Sequence, residues 1–457
     1  MSLQPVYAKG TNLKNQLNQN QELKREMGLF SATVVVIANM IGTGIFTSAG
    51  FVIAEVGNPV AFGLCWLVGG LFALCGALCY GELGVRFPKA GGEYIYLREA
   101  FGPCLGFLSG WLSLIVGFSA PIAAAAMAFA TYLLPNAGQA IATMTACSVI
   151  LVITLLHYHS LRLGTRVQNG LTLLKVAIII ALVAAALVSG RGDPTHFHAG
   201  SWTGDLFSRH WAVALVFVSF AYSGWNAAGY LGGEIRRPEY NLPRSLAIGT
   251  VIVVVLYLAL NAVFLYALTP AEMAGHTDIG ARAATALFGP AAGRWLGLAI
   301  AAGLLSVLSA MIMTGPRVYY AMARDGVFFR AFGRLSGLHH TPAASIFLQA
   351  AIAIAMVLTA TFDALLLYIG FTLSLSAMMT VGGMMLLNRL KPLPAGSYRT
   401  PGYPIVPVFF ILGNGWIIVF VLKSQPVASL FGLATIGLGF VAYAAFLFQS
   451  KRLEAVE

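Results

Sequence analysis

Two glycines sit where a membrane helix should run unbroken. From Phe30 to Ala54 the chain is apolar for long enough to cross a bilayer, yet its centre reads Met40-Ile41-Gly42-Thr43-Gly44-Ile45-Phe46. A Gly-x-Gly there invites the helix to unwind, and unwound backbone at membrane depth survives only where protein or a water-filled cavity satisfies its N–H and C=O groups. A second interruption lies five apolar runs later, in Phe220-Ala221-Tyr222-Ser223-Gly224-Trp225-Asn226. Each break offers N–H groups at the start of one half-helix, with partial positive charge, and C=O groups at the end of the other, with partial negative charge. Together they can hold a zwitterion. The amides of Thr43, Gly44 and Ile45 would take a carboxylate, and the carbonyls of Met40, Phe220 and Ser223 an ammonium. No charged side chain is needed, in keeping with acids confined to run ends (Glu55, Glu82, Glu234) and to a loop (Asp363). Glycines also serve close helix packing, and with 50 of them in the chain one Gly-x-Gly decides nothing. The pairing of two breaks, each followed by an aromatic, carries the binding reading.

Lys175, in Leu171-Thr172-Leu173-Leu174-Lys175-Val176, is the one lysine inside an apolar run. It is either a functional charge within the membrane or a side chain snorkelling to a surface ~10 Å away, and the sequence favours neither. His196-x-His198 and His339-His340 lie in connections without Cys or carboxylate at ligand spacing, and His157 and His159 end a run, so no metal site is expected. A Gly-rich phosphate loop, H-E-x-x-H and a nucleophile elbow are all missing from the sequence, so neither a cofactor nor a catalytic residue is expected.

The elements that must position these residues are membrane helices. Hydrophobic residues make up 58% of the 457, charged residues 9%, and the mean hydropathy is +0.81, which marks an all-α polytopic membrane protein. Twelve spans read from the apolar runs, at roughly 30–54, 60–85, 104–134, 140–157, 171–188, 211–233, 246–268, 295–323, 343–361, 365–387, 404–422 and 427–448. Matching breaks in spans 1 and 6 point to an inverted repeat of spans 1 to 5 and 6 to 10, with spans 11 and 12 outside it. The start, Met1 to Met27, is polar and Gln/Asn-rich and reads as a tail, not a signal peptide. With that tail inside, twenty of the 27 basic residues fall on the cytoplasmic side and five on the other, with Lys175 and Arg317 within spans. Both termini are therefore expected in the cytoplasm. The net charge of +11 belongs to this orientation signal, and no nucleic-acid partner is expected. The longest connections, Ser189 to His210 and Thr269 to Arg294, are too short for a soluble domain and are expected to carry short surface helices, while Arg86 to Pro103 reads as an amphipathic interfacial helix. All five cysteines (Cys65, Cys75, Cys79, Cys104, Cys147) lie in or beside apolar runs, against a disulfide framework.

With both breaks in view the sequence resembles the amino acid/polyamine/organocation (APC) superfamily, and within it most the L-type amino-acid transporter family. The resemblance rests on IGTGIF (Ile41 to Phe46), GALCYGELGVRFPKAGGEYIYLREAFG (Gly76 to Gly102), FAYSGWN (Phe220 to Asn226), GGEIRRPEYNLPRS (Gly232 to Ser245) and YYAMARDG (Tyr319 to Gly326). It implies a LeuT-type fold of 5+5 inverted repeats plus two helices, and sodium-independent amino-acid transport by alternating access. The chain then divides into a cytoplasmic tail (1–27), a transport core (28–388), spans 11 and 12 (389–448) and a second tail (449–457). Carried onto this sequence, the substrate site comprises Met40, Ile41, Gly42, Thr43, Gly44, Ile45, Phe220, Ser223, Gly224 and Asn226. Phe220 is the aromatic gate, Trp225 stands with Asn226 behind the second break, and the Lys175 ammonium replaces a sodium ion. Ser223 stands where many relatives have Gly, which removes volume beside the side-chain pocket. Animal members of the family bond a heavy chain through a cysteine after span 3; here that loop is Leu134-Pro135-Asn136-Ala137-Gly138-Gln139, so no disulfide-linked partner is expected. The expected partners are an amino-acid substrate and membrane lipid. Two rivals remain: a polyamine or organic-cation exchanger, which would want an acid inside the cavity, and a non-transporting nutrient sensor, which would carry a long soluble extension.

Overall fold

The computed structural model describes residues 25–159, 161–198, 208–336 and 341–454, without the side chains of 161–167, 363 and 447–454. Tail residues 1–24 and 455–457 and the His339-His340 pair lie outside the described residues. The fold is helical almost throughout, as a chain deprived of water must be to pair its own backbone groups. In chain order the helices are α1 (Leu29–Met40), α2 (Thr43–Val56), α3 (Pro59–Arg86), α4 (Glu93–Phe101), α5 (Pro103–Leu112), α6 (Ala120–Leu133), α7 (Gln139–His159), α8 (Leu161–Ser189), α9 (Arg209–Tyr222), α10 (Ala227–Tyr230), α11 (Pro238–Ala267), α12 (Pro270–Met273), α13 (Ile279–Phe288), α14 (Pro290–Thr314), α15 (Pro316–Arg324), α16 (Ala343–Thr359), α17 (Phe362–Leu390), α18 (Ile405–Ser424) and α19 (Pro426–Glu454).

Among the described residues ten helical spans, counting α1–α2, α5–α6 and α14–α15 each as one, are long and apolar enough to cross a membrane. Two of the expected twelve spans fall short of that length. The sixth ends as the 14-residue α9 because the chain turns at Ser223, and the ninth is the 17-residue α16. Asp363 lies in the first turn of α17 and not in a loop.

Packing sorts the helices into two groups. The halves α1 and α2 pack with α3, α9 and α11, whose largest mutual interface is α3 on α11. Helix α14 packs with α6, α7 and α8, and α16 with α6 and α7. Both broken spans thus belong to one group, and the second group walls it on the side of α14. Helix α3 is set by its first turn, where Asn58 Oδ1 accepts from the Val60 and Ala61 amides and Pro59 takes the first helical position.

The segment Arg86 to Pro103 departs from the interfacial helix expected of it. In α4 the run Glu93, Tyr94, Ile95, Tyr96 and Leu97 is buried. Gly91 and Gly92, at φ of 121° and 51°, make the turn that tucks α4 beneath the bundle. A Cβ on Gly92 would stand 2.4 Å from the Tyr230 ring, so glycine is what permits the approach. The Thr269 to Arg294 connection does carry helices: α12 begins with a Thr269–Glu272 capping box, and α13 buries Ile279, Ala283 and Leu287.

Candidate functional site

The first break leaves its polar ends where the sequence places them. Helix α1 stops at Met40, Gly42 is extended (φ −120°, ψ −151°), and α2 starts at Thr43 without a side-chain cap. The first amides of α2 therefore lack helical partners, and the last carbonyls of α1 lack helical donors. Those carbonyls are satisfied from outside. The Tyr257 hydroxyl of α11 lies 2.6 Å from the Met40 carbonyl and 3.1 Å from that of Ala221, joining the two breaks. The Lys175 ammonium donates to the carbonyls of Ala38, at 3.3 Å, and of Ile41. Lys175 is 3% exposed, and its stem runs along Gly303 of α14, where a Cβ would meet Cδ at 3.3 Å. The side chain turns inward to the broken helix, so snorkelling does not describe it. A cation at a helix C-terminus opposes the partial negative charge there.

The second break is a turn, Ser223 to Asn226, with Gly224 at φ +96°. The two breaks then meet through glycine on each side. A Cβ on Gly44 would lie 2.3 Å from Ala221 Cα, and one on Gly224 2.8 Å from the Asn39 carbonyl carbon. Each broken span thus presses a hydrogen-only position against the backbone of the other.

Two cavities flank this contact. One, of 20 Å³, is lined by Met40, Gly42, Thr43, Gly44, Phe220 and Ser223, together with α6, α14 and flanking residues. It has room for little more than a water, so an amino acid enters only if the two groups part. The second, of 60 Å³, is lined by Phe220, Ser223, Gly224, Trp225 and Asn226 and by residues of α3, α4, α17 and α18. Phe220 and Ser223 border both, which makes the Phe220 ring, 6% exposed, the partition between them. Ile41 and Ile45 line neither and are wholly buried. Of the candidate residues, six converge at the first cavity, while Gly224 and Asn226 face the second.

The second cavity contains an acid that sequence reading missed. Glu93 of α4 lines it, and its Oε1 accepts from Tyr80 Oη at 2.6 Å and Asn226 Nδ2 at 2.9 Å, while Oε2 accepts from Ser376 Oγ at 2.6 Å. Asn226 thus finds the partner its half-buried amide requires. Burial pushes the Glu93 carboxyl up from the ordinary carboxylate range, and the bonds from Ser376, Tyr80 and Asn226 act against that. Trp225 stacks edge-on to Tyr80 at 4.7 Å. The one sequence signal for the acid was Gly91-Gly92, the turn that carries it inward. Tyr257 announced itself only as a tyrosine within an apolar run. Among the described residues no three His, Cys, Asp or Glu side chains gather as a metal site.

The partition can be tested. In Phe220→Ala the two cavities merge and water reaches the breaks, so the uptake rate falls by about tenfold or more, equivalent to ~1.4 kcal/mol of barrier. Were the ring core packing alone, uptake by the folded variant would stay normal while stability dropped by about 3–5 kcal/mol.

Residues 27–444 match the family described as amino acid permease. The chain is 30% identical to the large neutral amino acids transporter small subunit 2 of Homo sapiens over 92% of its own length and 80% of the relative's. It is 29% identical to the b(0,+)-type amino acid transporter 1 of Mus musculus, over 88% of this chain and 84% of the relative. It is 30% identical to the serine/threonine exchanger SteT of Bacillus subtilis (strain 168), over 88% and 92%.

Proposed function

Because this chain belongs to the amino acid permease family and is an amino-acid transporter, not an enzyme, we propose that it carries neutral amino acids across a cytoplasmic membrane without sodium, by exchange or facilitated transport. The observation that carries the reading is the convergence of the uncapped start of α2 with the carbonyl ends of α1 and α9 at one cavity that no charged side chain lines. Opposite partial charges at one cavity suit the α-carboxylate and α-ammonium of a free amino acid. The Lys175 ammonium on the end of α1 supports independence from sodium, since a tethered cation already neutralises the carbonyls a sodium ion would seek. Two relatives are named for large neutral amino acids and for serine and threonine, which favours an uncharged side chain lodged in the cavity beyond Phe220.

In this reading the fold is the LeuT-type 5+5 inverted repeat with two further helices, residues 28–388 and 389–448. The chain is placed nearest the L-type transporters, with no disulfide-linked heavy chain. Alternating access rocks the group holding both breaks against the group of α6, α7, α14 and α16. Both tails, 1–27 and 449–457, face the cytoplasm by the distribution of basic residues.

One observation favours the organic-cation rival: Glu93 puts an acid in the cavity wall. Its oxygens already accept three hydrogen bonds from Tyr80, Asn226 and Ser376, leaving little capacity for a substrate ammonium. Proteoliposome uptake of labelled serine, leucine, lysine and putrescine separates the readings. Expected are uptake of the neutral pair, unchanged when potassium or choline replaces sodium, and faster with amino acid inside. Preference for putrescine would establish the rival, and strong sodium dependence would remove Lys175 from its role.

A further inference from the structure

Glu93 is a buried carboxyl group without a cation. It is 4% exposed, and no ion pair reaches it among the described residues. The groups facing it are Tyr80 from α3, Asn226 and Tyr230 from the chain around α10, Ser376 from α17, and Tyr96 from its own helix. Arg98, the cation on its own helix, is committed to Asp325 and Glu99. Glu82, two residues along α3 from Tyr80, is held by Thr400. All three hydrogen-bond donors to Glu93 are neutral, so these bonds alone oppose the cost of burying the group as an anion.

Those donors ride on three different elements. Tyr80 and Asn226 belong to the group with the two breaks, whereas Ser376 is on α17, which packs on α3 and α9 of that group and also on α6 of the other. Held by both groups, α17 must shift against one of them when they rock, and a shift against the broken spans draws Ser376 from the other two donors. We propose that Glu93 is the proton-binding group of the transport cycle, binding one proton when Ser376 parts from Tyr80 and Asn226 and releasing it when the three donors reconverge. The proton comes from water on the entry side and returns to water on the exit side, so one proton and one positive charge accompany each zwitterionic amino acid. The cavity of 60 Å³ against Glu93 has room for about four waters to deliver it. This inference rests on the transporter reading and makes the carriage proton symport in place of exchange or facilitated transport.

Burial supports it. A carboxyl whose proton affinity is raised by folding adds its stabilisation fully below its unfolded value and loses it as pH rises through the folded one. Wild-type stability should therefore fall, relative to Glu93→Gln, as pH is raised above the ordinary carboxylate range.

The test uses the full chain in liposomes containing the pH dye pyranine, with labelled serine and leucine outside. Expected are internal acidification during wild-type uptake and initial rates several-fold higher at about pH 5.5 than at about pH 7.5. In Glu93→Gln the ratio of the remaining initial rates falls to unity and acidification disappears. Uptake without acidification in the wild type, or acidification retained by Glu93→Gln, overturns the proposal and leaves the transporter reading intact. Ser376→Ala is the second variant, needed if Glu93→Gln does not fold. It keeps the acid and removes a donor to the anion, so the pH midpoint moves to higher pH, and an unmoved midpoint overturns the proposal. If no amino acid is taken up at all, the transporter reading fails. Glu93 titration is then read from melting temperatures in detergent, where parallel pH profiles of wild type and Glu93→Gln overturn it.

Discussion

Gly44→Ala is expected to abolish substrate binding and transport, and Gly42→Ala, two residues earlier, to leave both near wild type. The difference lies in what the new methyl meets. At Gly44 it stands 2.3 Å from Ala221 Cα, 2.8 Å from its Cβ and 3.2 Å from its backbone nitrogen, and backbone cannot rotate away. The only relief is to push α2 off α9, which opens the contact where the amides of one break face the carbonyls of the other. At Gly42 the methyl meets Val307 at 3.6 Å, an ordinary contact. Overpacking of this kind costs about 1–3 kcal/mol in stability, small beside the ~100-fold loss that displacing a positioned group by an ångström brings. Radioligand binding to purified protein and uptake in liposomes measure one effect, and thermal unfolding in detergent the other. Gly44→Leu should insert as well as the wild type and bind nothing. If Gly44→Ala unfolds earlier but still binds and transports, the glycine is there for packing and the break is no substrate site. Gly224→Ala shares the expectation with a further burden, since its φ of +96° is one that only glycine adopts readily.

The membrane segments were legible because hydrocarbon thickness fixes their length and composition, and the ends of the apolar runs fall within a few residues of the helices at α3, α5–α6 and α18. The sixth span was read too long. Apolar character continues through Trp225, Ala227 and Ala228, and hydropathy cannot see that the backbone has turned at Gly224 and left only α10, a four-residue helix. The glycines at the breaks were visible as glycines, but what each one touches was not, since Gly44 and Ala221 or Gly224 and Asn39 are brought together only by tertiary packing. Depth along a helix is written in sequence, whereas direction around it is not. Lys175 could be placed in span 5 but not aimed, because what turns it inward is the space left by Gly303 on α14. Glu93 was hidden for a related reason. Of its three donors, Tyr80 is 13 residues away, but Asn226 and Ser376 are 133 and 283 away, and α4 by itself has the polar and apolar faces of a surface helix.

Lys175→Met is expected to stop transport while leaving the melting temperature close to that of the wild type. The ammonium is buried with no carboxylate paired to it among the described residues, so holding it there costs several kcal/mol of desolvation. What it returns is the satisfaction of the Ala38 and Ile41 carbonyls, each about 1–3 kcal/mol if orphaned. Methionine keeps the stem against Gly303 and removes both terms, which nearly cancel. Stability is therefore a poor guide to this residue, and transport a good one. Without the ammonium no charged side chain among the described residues links α8 to the end of α1, and the broken helix loses the cation that fixes it while the substrate site forms beside it. Lys175→Arg should not rescue, because the planar guanidinium is larger than the compact ammonium that reaches the buried Ala38 and Ile41 carbonyls. Uptake and thermal unfolding, measured on the same preparations, decide the matter. Near-normal uptake by Lys175→Met would mean that the lysine only caps a helix. A large drop in melting temperature with proportionate loss of uptake would mean that it holds the fold and takes no part in the cycle.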